Sequence, residues 1–110
     1  MNIEELREYC LSLSPEVEEK FPFGKFKHAR DVLVFYIGGH MFCYFDINDL
    51  SHVTLKCQPG RIPELREQYD CIGPPYNGHP RHWLSIDARV ADAPLLRALI
   101  RNSFELVKAR

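Results

Sequence analysis

The sequence predicts a single α+β domain over residues 1–110, in which helices pack on one face of an antiparallel sheet. Three observations favour this fold class. Gly38-Gly39 separates two runs of β-branched and aromatic residues, which is the pattern of a hairpin. Helical periodicity occurs at the two ends of the chain and once in the middle. The 110 residues, 45% of them hydrophobic, suffice for one core but not for two domains.

The first element is a helix that begins after Asn2. Asn2 followed by Glu5 has the form of a capping box. Apolar residues then recur on one face of the helix, at Ile3, Leu6, Cys10 and Leu13. Ser14-Pro15 ends the helix, and one further short turn is expected over Glu16–Glu19. The motif FPFG at residues 21–24 predicts a turn with two aromatic rings.

Three strands are predicted in the next part of the chain. The runs Val32–Ile37 and His40–Phe45 are apolar at odd and even positions, so both faces of this hairpin are expected to be covered. The following strand alternates between apolar positions (Val53, Leu55, Cys57) and polar positions (His52, Thr54, Lys56). This alternation predicts that one face of the third strand is open to water.

The remaining elements are a helix, a strand and a last helix. Ile62, Leu65 and Tyr69 suggest the middle helix, and Trp83–Asp87 is a short strand after the loop GPPYNGHP. Asp92 is expected to cap the last helix, with Pro94 in its first turn. The buried stripe of this helix is predicted at Leu96, Leu99, Ile100, Ser103, Leu106 and Val107. The predicted order is therefore α-β-β-β-α-β-α.

Composition limits the classes of function. The four cysteines lie in or beside apolar stretches without a C-x-x-C pair, which favours buried, reduced thiols. The acidic N-terminal residues do not resemble a signal or transit peptide, and no apolar run approaches the roughly 18 residues of a membrane span. We therefore expect a cytoplasmic protein without membrane contact. No catalytic or cofactor motif is present, so we expect neither enzyme activity nor a cofactor.

Metal binding is a weaker possibility with two versions. His79 and His82 are three residues apart, with Asp87 nearby, which suits a transition metal. The acidic N-terminal segment could instead hold cations through carboxylate oxygens. Its acidic residues are Glu4, Glu5, Glu8, Glu16, Glu18 and Glu19. A solvated helix face explains these carboxylates better, so no metal ligand is assigned.

Basic side chains form three sets, although the net charge is −1. Lys25, Lys27 and Arg30 surround Phe26; Arg81 and His82 precede Trp83; Arg97, Arg101 and Lys108 share a stripe of the last helix with Phe104. That stripe spans about 60° and is expected to face away from the buried one. Cations neutralise phosphates and aromatic rings stack on bases. Alternatively, the helix cations complement the helix dipole and Trp83 belongs to the core.

Several phrases occur together in a fixed order. They are EELREYCLSL, VEEKFPFG, a hairpin with a GG-H-MF step, TLKCQPGRIPELREQY, PPY followed by RHW, and a last helix containing SFELV. From Asn2 to Lys108 this order resembles the MmcQ/YjbR family. The resemblance implies a frataxin/CyaY-like fold and DNA binding through hairpin wings. The chain departs from the family at Asn77–Pro80, where His-Met-Asn-Lys is common and Pro80 replaces a cation.

The leading hypothesis is a DNA-binding protein of low sequence specificity, with double-stranded DNA as the partner. Its predicted contact residues are Lys25, Lys27, Arg30, Arg81, His82, Trp83, Arg97, Arg101 and Lys108. The alternatives are a module that binds a protein or small ligand through the loop Pro74–Trp83, or a weak metal-binding domain.

Overall fold

The computed structural model describes residues 1–110 and contains one six-stranded antiparallel sheet with three helices. The elements in chain order are α1 (Ile3–Ser12), β1 (Glu18–Lys20), β2 (Val32–Ile37), β3 (His40–Asp46), β4 (Asp49–Lys56), α2 (Ile62–Gln68), β5 (Ile72–Gly73), β6 (Trp83–Ile86) and α3 (Ala93–Lys108). The strand order across the sheet is β1-β2-β3-β4-β6-β5, with every pair antiparallel. The predicted α+β class is confirmed.

The predicted order of elements was incomplete, because both edges of the sheet are short strands. The turn expected over Glu16–Glu19 is wrong, since Glu18–Lys20 pairs with Val34–Tyr36 as edge strand β1. At the other edge, Ile72 and Gly73 pair with β6. A three-residue strand of sequence EEK and a two-residue strand have no apolar alternation, so only their backbone partners define them. The observed order is α-β-β-β-β-α-β-β-α.

The helices cover one face of the sheet and enclose the main core. Strand residues of this core include Leu33 and Phe35 of β2 and Leu84 and Ile86 of β6. The predicted capping box of α1 is confirmed, since Asn2 and Glu5 each accept the other's backbone N–H with a side-chain oxygen. Asp92 occupies the N-cap of α3 but makes no side-chain cap bond. Pro94 in the first turn leaves one N–H donor fewer for a capping carboxylate.

The opposite surface of the sheet, which we call the helix-free face, has a smaller cluster of its own. Val32, Val34 and Tyr44 form its buried part. The partly buried residues packed against them are Phe23, Ala29, Tyr36, Met41 and Trp83. The hairpin is therefore covered on both faces, as the sequence predicts. It is covered by helices on one side and by the segment 21–31 on the other.

The expectation that one face of β4 is open to water is wrong at Thr54, which is 0% exposed. Thr54 lies between Tyr44 of β3 and Ser85 of β6 in the sheet register. The loop after β5 bonds to both neighbours. The Ser85 hydroxyl donates to the Pro74 carbonyl at 2.7 Å, and the Tyr44 hydroxyl donates to the Tyr76 carbonyl at 3.4 Å. The loop thus covers Thr54, which the local alternation cannot indicate.

Ser103 joins α3 to the sheet at the end of the β3–β4 ladder. Its hydroxyl accepts the backbone N–H of Lys56 at 2.9 Å and donates to the backbone carbonyl of Phe42. These two backbone groups have no strand partner in the β3–β4 register, which ends at Cys43 and Leu55. A helix side chain therefore completes the hydrogen bonding of two strands, as buried backbone groups require.

All four cysteines are unpaired, and Cys10, Cys43 and Cys57 are buried. Burial raises the pKa of the Cys43 thiol well above its ordinary value, and it also raises the pKa of Cys57 and Cys71. A high pKa suppresses the reactive thiolate form. None of the three helices combines the length and apolar character that crossing a membrane requires.

Candidate nucleic-acid interface

A cleft of about 670 Å³ opens on the helix-free face. Its lining residues are Phe23, Lys25, Phe26, Lys27, His28, Ala29, Val32, Met41, Tyr44, Tyr76 and Asn77. The sheet residues Val32 and Tyr44 are buried, whereas Lys25, Phe26 and Lys27 are exposed. The lining therefore combines aromatic rings and lysines, and it contains no carboxylate.

The segment 21–31 presents the lysines because consecutive turns fold it into a compact cover. The Phe26 N–H donates to the Phe23 carbonyl at 2.9 Å, and the Ala29 N–H donates to the Phe26 carbonyl at 3.0 Å. Phe23 and Ala29 pack down onto the sheet cluster. Because both ends of these turns are anchored, Lys25, Phe26 and Lys27 between them extend into solvent.

The loop after β5 supplies the other part of the cleft through Tyr76 and Asn77. Asn77 adopts a left-handed backbone with φ of 69°, which asparagine tolerates better than most residues. A Cβ on Gly78 would lie 3.1 Å from the Tyr44 hydroxyl and 3.2 Å from the Trp83 side chain. Asn77-Gly78 therefore allows the loop to approach the sheet closely.

Trp83 lies beside the cleft on the helix-free face and is partly buried. Its ring centroid is 5.8 Å from that of Tyr44, and Lys56 Nζ is 6.0 Å from the Trp83 ring. Burial lowers the pKa of Lys56. Trp83 is therefore neither a residue of the main core nor a freely exposed ring. It extends the aromatic surface of the cleft towards a cation from β4.

The structure brings only part of the predicted contact set to this cleft. Lys25 and Lys27 line it, and Trp83 adjoins it through Tyr44. Arg30 points to Asp31, with 3.8 Å between guanidinium and carboxylate. Arg81 lines a separate groove with Arg66, Pro59, Ile62, Pro63 and Pro80. His82 is exposed with its ring centroid 5.7 Å from that of His79.

The cations of α3 lie on the other side of the sheet. α3 packs its buried face into the main core, and Arg97, Arg101 and Lys108 are exposed on its outer surface. The expectation that Phe104 faces outward with them is wrong, since Phe104 is 2% exposed. Viewed down the axis of α3, Phe104 lies at the edge of the buried stripe. Its long side chain extends inward to Phe42, and the two ring centroids are 5.4 Å apart.

Tyr44 and Lys56 belong to the candidate site, but sequence reasoning did not select them. Tyr44 lies in an apolar run, so the sequence pattern assigns it to the core. Lys56 is one polar position of an alternating strand, and the pattern does not distinguish it from the other polar positions. What the two residues share is their position in the strand register, which directs both side chains to the helix-free face. That signal is usable only once the covered faces of the sheet are known.

Two loops carry basic side chains beside aromatic rings. The segment FPFGKFKHAR (21–30) contains Lys25, Lys27 and Arg30, and the segment GPPYNGHPRHW (73–83) contains Arg81. Neither segment contains an acidic residue. Lys25 and Lys27 make no ion pair, so their ammonium groups are available to a ligand.

The two versions of the metal hypothesis find no complete ligand set. No group of three or more His, Cys, Asp or Glu side chains that could hold a metal is present. Asp87 is engaged by Arg89 at 2.8 Å, which holds the pKa of that carboxyl below its ordinary value. In the acidic N-terminal segment, Glu5 closes the capping box and Glu19 binds Arg7 at 2.7 Å.

Comparison with known proteins adds one family model and two solved structures. The model described as YjbR matches residues 12–106. The crystal structure of the Deinococcus radiodurans protein DR2400, described by the domain DUF419, has a TM-score of 0.87 at 30% identity, covering 99% of this chain and 80% of the other. A Pseudomonas syringae protein has a TM-score of 0.79 at 21% identity, covering 97% and 99%, which indicates a common fold. No curated protein matches the chain. The likeness to frataxin stays a prediction.

Proposed function

The chain belongs to the YjbR family, and we propose that it binds DNA, duplex DNA included, with low sequence specificity through the helix-free face. The observation that supports this most directly is the cleft in which Lys25 and Lys27 flank the exposed ring of Phe26 with no carboxylate in the lining. Lysine neutralises the phosphates of any sequence, and an aromatic ring contacts bases or sugars without reading their hydrogen bonds.

The proposal includes a cytoplasmic location in a bacterial cell and a binding role without catalysis. Four unpaired cysteines support the location, because reducing compartments keep thiols free. The bacterial source of both solved relatives supports a bacterial cell.

Titration of a fluorescently labelled duplex of about 20 base pairs, followed by anisotropy at low salt, tests the proposal. We expect micromolar affinity that weakens steeply with salt. If Lys25, Lys27 and Lys56 each contact one phosphate, the plot of log K against log salt has a slope of about −3. Absence of binding at about 100 μM protein, well within the range of non-specific DNA affinity, would refute duplex binding. If single strands were not bound either, the alternative, a protein- or small-ligand module, would take its place.

A pair of charge reversals locates the binding surface. Lys25→Glu/Lys27→Glu changes the charge at the cleft, and Arg97→Glu/Arg101→Glu makes the same total change on α3 across the sheet. Because loss of two phosphate contacts costs far more than a distant, screened charge, we expect about tenfold weaker binding for the first pair and about twofold for the second. A larger loss from the α3 pair would show that the proposed face is wrong and the helix is the contact surface.

A further inference from the structure

We infer that the cleft receives an unpaired nucleobase, so that the chain binds single-stranded DNA more tightly than duplex DNA. The inference rests on the proposed DNA-binding function and specifies the strand form that the site takes. It follows from three properties of the cleft, which are its shape, the exposure of its rings and the position of its charges.

The cleft is concave and its size suits a small planar group. Its volume of about 670 Å³ lies within the roughly 300–1,000 Å³ of small-molecule sites. Val32 and Tyr44, both buried, belong to the sheet and line the cleft. A duplex presents a convex backbone with its bases stacked inside, and such a surface does not enter a concavity of this size.

Two exposed rings border this concavity from different segments. Phe26 is 63% exposed and Tyr76 is 50% exposed, and both line the cleft. Large exposed rings that converge on one cleft indicate a binding surface, because single exposed apolar residues are otherwise scattered. The faces of such rings stack on the faces of bases, and only an unpaired base offers its face.

The charges lie where the phosphates of a single strand would pass. Lys25 and Lys27 are the immediate neighbours of Phe26 in the chain, and all three line the cleft. A base stacked on Phe26 has a phosphate on each side of its sugar, and the two lysines offer one ammonium group for each. Asn77, also in the lining, supplies an amide that can donate to or accept from a base edge.

The test measures the anisotropy of labelled strands with equal phosphate numbers: a single strand of thymidines, the same strand with abasic sites, and a duplex. We expect the thymidine strand to bind at least about fivefold more tightly than either of the others, since stacking is lost in both. Phe26→Ala should weaken binding of the thymidine strand by at least about fivefold and so remove this preference. Phe21→Ala is the matched control, because Phe21 is 49% exposed but lines a different groove beside Arg7 and Glu19.

The outcomes separate the inference from the function on which it rests. If no DNA form binds, the proposed function fails, and the inference fails with it. If the duplex binds as tightly as the thymidine strand, or the abasic strand binds equally well, only the inference is overturned. Competition by free thymidine monophosphate at the same concentration as the strand would assign the cleft to nucleotides and also overturn it. Thermal unfolding of the Phe26→Ala protein at the wild-type temperature would confirm that it is folded.

Discussion

Replacement of Ser103 by alanine should destabilise the fold more than the same replacement of Ser85 or Ser12. The hydroxyl bonds to the N–H of Lys56 and to the carbonyl of Phe42, a residue that is fully buried. Ser103→Ala leaves both backbone groups without a partner. Each unsatisfied buried group costs about 1–3 kcal/mol, and the helix preference for alanine returns about 0.5 kcal/mol. We expect the free energy of unfolding to fall by about 1.5–5.5 kcal/mol.

Urea unfolding followed by circular dichroism and by the fluorescence of Trp83, the single tryptophan, measures this change. A loss of that size should lower the melting temperature by on the order of 10 °C in a domain of this length. Ser85→Ala removes one bond, to the Pro74 carbonyl, and should cost about 1–2 kcal/mol. Ser12→Ala, whose exposed hydroxyl bonds to the Tyr9 carbonyl, should change stability by less than about 0.5 kcal/mol.

The ranking of the three variants is the critical result. If Ser103→Ala were no more destabilising than Ser12→Ala, the two strand ends would not depend on the helix side chain. Amide hydrogen exchange gives an independent check, because the Lys56 N–H should lose its protection in Ser103→Ala and keep it in Ser12→Ala.

Two further predictions concern the loop and the core thiols. Gly78→Ala should cost about 1–2 kcal/mol in urea unfolding, because its Cβ would press on Tyr44 and Trp83 at 3.1 and 3.2 Å. Gly60→Ala, with no atom within 4 Å, should be neutral, and equal effects would contradict the close approach of the loop. Stability should also fall above pH 9.0, by up to about 1.4 kcal/mol per pH unit for Cys43. The unfolded thiol loses its proton there while the buried thiol keeps it, so alkaline pH favours unfolding. Cys43→Ala should show a shallower fall, and an unchanged pH profile would contradict the raised pKa.

The parts of the fold that local pattern governs could be predicted from the sequence. The Gly38-Gly39 hairpin is present, and both glycines have the positive φ, 60° and 81°, that a primed turn requires. The capping box of α1 and the middle helix at Ile62–Gln68 are also present. Each of these depends on residues within a few positions of one another, so neighbouring side chains determine the backbone.

The errors share a cause, because each involves a contact between distant segments. Edge strand β1 exists through pairing with β2, and Thr54 is buried by a loop some twenty residues further along the chain. Phe104 is drawn inward by Phe42. Local periodicity carries no information about such distant partners. The sequence therefore predicted a turn at Glu16–Glu19, a water-exposed face of the third strand and an outward-facing Phe104.

The sequence by itself determined the fold class, the family resemblance and the residue types of the site: lysines beside an aromatic ring in one loop, further aromatic rings in a second, and no carboxylate in either. Only the tertiary structure decided which of these residues share a surface. Strands β2 and β3 are apolar on both faces, so their sequence pattern does not indicate which segment covers which side of the sheet. In the structure α3 packs on one side and the segment 21–31 on the other. Lys25 and Lys27 are therefore on the opposite side of the sheet from Arg97 and Arg101.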